Sequence, residues 1–190
     1  MASTVDIVNG GLMMLGETLI TSLGDATQEA RLASSAWARV RPAVIRSHPW
    51  NSTTTRAKLA ALATTPAWGY AYEYQLPYDC LAVFDIDTDD SEQYWTVEGR
   101  KLLCDINAPL GVLYAKDETD SGIFDPLLVE ALSYSIALEL CEAITQSNTK
   151  RAQIHKLLDE MMTRAKMADG QESSPRSFDE DDWVLARLRR

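Results

Sequence analysis

Apolar residues recur three or four apart in four stretches of the chain, and short runs of a different character fill the space between the second and the third. Ser3 and Asp6 form a capping pair, followed by Val5, Val8, Leu12 and Leu15 at helical spacing until Gly16; this predicts a first helix. Residues 17–24 read as a short extended link. Asp25 with Gln28 predicts the cap of a longer helix that carries Ala33, Trp37, Val40 and Val44 along one face. Pro42 removes a backbone donor and crowds the carbonyl four residues back, so a kink or break is expected near residues 38–42.

From Trp50 to about Tyr114 the helical period is lost. Runs rich in Thr, Tyr, Val and Trp are separated by Pro66, Pro77, an acidic cluster at 85–92, Gly99 and Pro109, which predicts short antiparallel strands. Residues 94–97 and 100–104 around Glu98-Gly99 read as a hairpin, and residues 81–86 and 111–114 as further strands.

The strongest local signal starts at Phe124. Asp125 is placed as an N-cap and Pro126 at the first helical position, where its missing N–H costs nothing, with Phe124 set to staple against Val129. A helix is expected over 126–145, apolar over a broad face through Leu127, Leu128, Ala131, Leu132, Ala137, Leu138, Cys141 and Ile144. Ser147 or Asn148 caps a second helix whose Ile154, Leu157, Leu158, Met161, Ala165 and Ala168 form one stripe ending at Gly170. The short loop makes the two antiparallel neighbours, and the N-terminal pair completes a layer. The expected fold is α+β: a four-helix bundle layer (residues 1–49 and 124–170), an inserted small antiparallel β subdomain (50–123) and an extended docking tail (171–190).

Composition narrows the functions open to such a chain. Its 190 residues suit one domain or one domain with an elaboration. Lys and Arg number 18 against 28 Asp and Glu, a net charge of −10, which repels phosphate and argues against sequence-specific nucleic-acid binding. Cys80, Cys104 and Cys141 are widely spaced with no C-x-x-C pair and read as buried hydrophobes in a reducing compartment. No signal peptide is expected, since no Lys or Arg precedes the first apolar run. No membrane span is expected either, because no stretch reaches roughly 18 uninterrupted apolar residues.

Candidate chemistry is sparse. The only imidazoles are His48 and His155, neither with a nucleophile nearby in sequence, and both are read as structural or solvated. Asp85, Asp87 and Asp89 alternate as in a calcium loop, but Asp90 stands where the sharp turn needs Gly and Thr96 where a bidentate carboxylate is needed. With Glu92 they are read as a solvated acidic loop, and no metal or cofactor is expected. Trp50, Trp68, Tyr70, Tyr72, Tyr74 and Tyr78 form an aromatic-rich stretch without the basic residues that nucleic-acid stacking requires. Packing on a sheet or across a subunit interface is the expected use. The tail segregates acids at 179–182 from Arg187, Arg189 and Arg190 around Trp183, Val184 and Leu185, a pattern suited to docking. Candidate partner contacts are therefore Trp183, Leu185, Arg187, Arg189, Arg190, Trp68, Tyr70 and Tyr72.

Seven stretches in order, covering most of residues 5–170, resemble the tail tubular protein A family of T7-like podophages. They are the helix from Val8-Asn9 to Leu15-Gly16, Ser47-His48-Pro49-Trp50-Asn51, Thr65-Pro66-Ala67-Trp68-Gly69-Tyr70, Leu76-Pro77-Tyr78-Asp79-Cys80-Leu81, residues 94–99, Phe124-Asp125-Pro126-Leu127 through Glu130-Ala131, and Thr145-Gln146-Ser147-Asn148. Ser52 departs from the pattern where an aromatic often follows, and Ala82 where an Arg often does. The resemblance implies a non-enzymatic adaptor at the head–tail junction of a virion. It implies a homo-oligomeric ring of twelve copies between the portal protein and the tail nozzle protein, with double-stranded DNA passing through. Two alternatives stay open: a tail-associated polysaccharide hydrolase using an Asp/Glu pair, and a nearly all-helical head-completion connector of long-tailed phages.

Overall fold

Ser3 opens the first helix as its spacing predicts: its hydroxyl accepts the Asp6 N–H at 3.2 Å, and the Asp6 carboxylate accepts the Ser3 N–H at 2.8 Å. The structure, a computed structural model, describes residues 2–88 and 94–172. Helix α1, Thr4–Leu15, ends at Gly16, whose φ of 82° is the left-handed conformation that favours glycine. Helix α2, Gln28–Arg46, is capped by Thr27 rather than by Asp25. Asp25 is used earlier, accepting the Thr21 N–H and hydroxyl and the Ser22 N–H at 2.9–3.0 Å, so it folds the preceding link.

Of the kink or break expected near residues 38–42, the break does not occur: α2 runs from Gln28 to Arg46 with Pro42 inside it. The carbonyl that Pro42 leaves without its helical donor belongs to Ala38, an exposed residue, so the loss falls on the solvent side of the helix. Trp37, Val40, Val44 and Ile45 on both sides of the proline are buried and hold the helix through it.

Among the described residues six strands follow the second helix: β1 Thr54–Leu59, β2 Tyr72–Gln75, β3 Cys80–Ile86, β4 Trp95–Glu98, β5 Lys101–Cys104 and β6 Leu110–Lys116. They make two antiparallel three-stranded sheets, ordered β1-β6-β3 and β2-β5-β4. The β4–β5 hairpin forms, with Gly99 (φ 60°) and Arg100 as the turn, one residue later than the spacing suggested. Leu59, Tyr74, Leu76, Leu102, Leu110 and Val112 give this part its own core.

Helix α3, Pro126–Thr145, begins as predicted, with the Asp125 carboxylate accepting the Leu127 N–H at 2.8 Å. Helix α4, Asn148–Gln171, is capped by Ser147 and passes through Gly170 instead of ending there. Its buried stripe is Ile154, Met161 and Ala165; Leu157, expected on it, is exposed. Helices α1, α2 and α4 all pack on α3, and one hydrophobic core runs through the four. Among the described residues the fold is thus mixed α+β, with four α-helices and two small sheets. The arginine of α2 at position 41 ties the two parts, pairing with Asp117 just past β6 at 2.6 Å.

Candidate functional site

The aromatic-rich stretch divides by where its backbone lies. Trp50 is buried and its indole N–H donates to the Val44 carbonyl at 3.0 Å, while Tyr74 is buried and its hydroxyl donates to the Ile106 carbonyl at 2.6 Å. These two rings build the core, and their polar atoms are satisfied, as buried Trp and Tyr require. Trp68, Tyr78 and Tyr94 point the other way, being 86%, 93% and 80% exposed. All three belong to connections of the β part. Trp68 lies in the β1–β2 loop beside Gly69 (φ 87°), Tyr78 in the β2–β3 turn, and Tyr94 just ahead of β4. Rings so placed gain nothing from folding and are free to stack on a partner.

Of the sequence candidates, Trp68 and Tyr70 line one cleft with Pro66, Glu73, Glu98 and Lys101. Tyr70 is half-buried, and Tyr72 is half-buried and packs against the β core. At the cleft's base Glu73 is buried, pairs with Lys101 at 2.9 Å and accepts the Thr64 hydroxyl. The Thr64 hydrogen bond first, and then Lys101, hold its carboxyl below the ordinary glutamate range. Glu73 is thereby an anchored anion that fixes the β1–β2 loop carrying Trp68. Trp183, Leu185, Arg187, Arg189 and Arg190 lie outside the described residues, as do Asp89, Asp90 and Glu92.

The sequence pattern includes Tyr78 in the aromatic stretch without singling it out as a contact, and places Tyr94 in a strand. It also passed over Met13 and Met167, which are 65% exposed on α1 and α4. Pro77 immediately before Tyr78 was a turn signal that could have marked that ring as outward.

The histidines have structural surroundings. His48 stacks edge-on against Trp50 and its Nε2 lies 3.1 Å from Asp169 Oδ2; exposed His155 faces Asp159 one turn along α4. The motif Ser47-His48-Pro49-Trp50-Asn51 is therefore a joint that fastens the end of α4 to the start of the β part. Cys80, Cys104 and Cys141 are free and buried, and burial pushes the first two thiols up. Among the described residues no group of three or more His, Cys, Asp or Glu converges as a metal site would require. Nor, among them, is any helix long and apolar enough to cross a membrane. Comparison with protein-family models gives no match, and a search of curated proteins gives none either.

Proposed function

We propose that the chain is a structural adaptor that assembles, in twelve copies, into a ring at the head–tail junction of a phage particle. The observation that carries this reading is the presence of two unlike sets of exposed apolar side chains on one subunit. The β part presents Trp68, Tyr78 and Tyr94; the helical part presents Met13, Leu157 and Met167. A closed ring joins each copy to the next head-to-tail, and so needs two different, mutually complementary faces. The ordered motifs at residues 5–170 support the same reading. In it the helices form a bundle-like layer against the portal protein, and the sheets reach toward the tail nozzle protein.

Charge supports it further. A net −10 keeps the ring from gripping the phosphates of double-stranded DNA that must slide past. The residues with the best chemistry for holding a neighbour or the portal are Trp183, Leu185 and the arginines at 187, 189 and 190. No bond-making step, metal or cofactor enters this account. The six strands among the described residues fit poorly with the nearly all-helical head-completion alternative. The test is assembly: the purified chain, mixed with portal rings from the same genome, is expected to bind them as a stacked ring in negative-stain images. Chains that stay apart from the portal at every ratio overturn the proposal.

A further inference from the structure

Strands β3 and β4 belong to different sheets, yet they face each other across a groove. Leu81, Ala82 and Val83 line one wall and Trp95, Thr96 and Val97 the other. Among the described residues β3 pairs only with β6 and β4 only with β5, so each wall is an unpaired strand edge. Such edges are templates for an added extended segment. Two cations stand at one end. Arg46 donates to the Leu81 carbonyl and Arg100 to the Pro77 carbonyl, and among the described residues no side-chain acceptor is paired with either guanidinium. Neither has a carboxylate partner among the described residues, and both charges act on the thiol of Cys80. The β3–β4 connection leaves from the opposite ends of the strands, at Ile86 and Trp95.

The described chain stops beside this entrance. Glu172 donates its N–H to the Asp169 carbonyl, and Asp169 is bonded to His48 and Asn51, two and five residues past Arg46. From Glu172 to Asp179 a fully extended chain covers about 25 Å, enough to bring residue 179 to the guanidiniums. There the sequence reads Asp179-Glu180-Asp181-Asp182-Trp183-Val184-Leu185: four acids, then three apolar residues of high strand propensity. The groove has the matching order, two cations and then two apolar strand edges.

We propose that residues 179–185 of the chain dock into the β3–β4 groove of the same molecule, acids on Arg46 and Arg100 and apolar residues along the strand edges. A short tether sets an effective concentration in the millimolar range, so at micromolar protein this internal docking precedes contact with any second copy. The segment is then held back in the free chain and released when a partner competes for it, a consequence that does not rest on ring formation.

Hydrogen exchange read by mass spectrometry tests this on the full chain, at concentrations where ultracentrifugation shows single copies. Replacing the acids together (Asp179→Lys, Glu180→Lys, Asp181→Lys, Asp182→Lys) is expected to speed exchange at residues 81–83 and 95–97 at least tenfold. Exchange in α3 stays unchanged as a control for folding. Adding Arg46→Glu and Arg100→Glu to that variant is expected to restore protection. Unchanged exchange after the acid reversal overturns the proposal, as does failure of the charge swap to restore it. Protection seen only where copies associate also overturns it and assigns the groove to a second copy.

Discussion

Asp169, near the end of α4, holds Asn51 twice: its Oδ1 accepts the Asn51 backbone N–H at 2.9 Å, and its main-chain oxygen accepts Asn51 Nδ2 at 2.7 Å. Its other carboxylate oxygen faces His48 at 3.1 Å. A helix end that would otherwise fray is thus clamped to the junction of helices and sheets. Hydrogen bonds to a charged group contribute about 1.5–3 kcal/mol each, so Asp169→Ala is expected to lower stability by about 2 kcal/mol. A shift of the urea midpoint with unchanged slope reads this, and Asp169→Asn, which keeps one acceptor, should lose less. No midpoint shift would mean that the clamp contributes nothing.

Gly11 and Gly16 sit five residues apart and are glycines for different reasons. A side-chain carbon on Gly11 would lie 3.0 Å from both Ile136 Cγ2 and the Ser133 carbonyl oxygen. Helix α1 can approach α3 this closely only without one. Nothing lies within 4 Å of such a carbon on Gly16, where only the positive φ is at stake. Gly11→Val is expected to cost about 3 kcal/mol by forcing the helices apart, and Gly16→Ala about 1 kcal/mol from backbone strain alone. Thermal unfolding of the two variants ranks them; equal losses would contradict the packing argument.

Glu118 accepts from Lys116 Nζ at 2.7 Å and from the N–H groups of Thr119 and Asp120 at 2.9 and 3.0 Å. Lys116 first, then the backbone donors, hold its carboxyl below the ordinary glutamate range. A folded-state value below the unfolded one means that the stabilisation is complete above the unfolded value, near pH 4.3, and is lost as pH falls through the folded one. Glu118→Gln is therefore expected to flatten the acid limb of the stability profile in that window and to leave its shape above pH 6 alone. A variant as acid-sensitive as the parent contradicts this.

Tyr114 shows the opposite sign. Burial first, then the charge of Asp79, whose Oδ1 accepts its hydroxyl at 3.3 Å, push the phenol up to about 12. Its neutral form is favoured by folding, so this stabilisation is present below the unfolded value near 10 and is lost as pH rises toward 12. Ultraviolet titration of tyrosinate is expected to lose one late-ionising phenol in Tyr114→Phe, while that of Tyr74, which burial also pushes up, stays. A titration unaltered by the substitution would assign the late phenol elsewhere or nowhere.

Local signals carried the helices. The Ser3/Asp6 box, Asp125-Pro126 and Ser147 stand where the spacing placed them, because a cap is decided by residues within one turn. Asp25 misled because a carboxylate two residues ahead of the true cap serves the preceding link equally well. Pro42 did not break its helix because the cost of a lost helical bond depends on whether the orphaned carbonyl is exposed, which the one-dimensional pattern does not record. Strands β1 and β2 were not singled out, since TTRAKL and YEYQ lack a clean alternation and their pairing partners lie 26 or more residues away. Composition could not separate buried Trp50 and Tyr74 from exposed Trp68 and Tyr78; only the turns and sheet registers decide which ring faces the core.

The central claim is that unlike faces of identical copies meet around a passage for DNA. Native mass spectrometry of the chain with portal rings tests it most directly. The account predicts one dominant complex carrying twelve copies per portal, weakened when Trp68 and Tyr78 are both replaced by Ala with the fold unchanged by circular dichroism. A spectrum of free single copies beside bare portal, at saturating ratios, would contradict it.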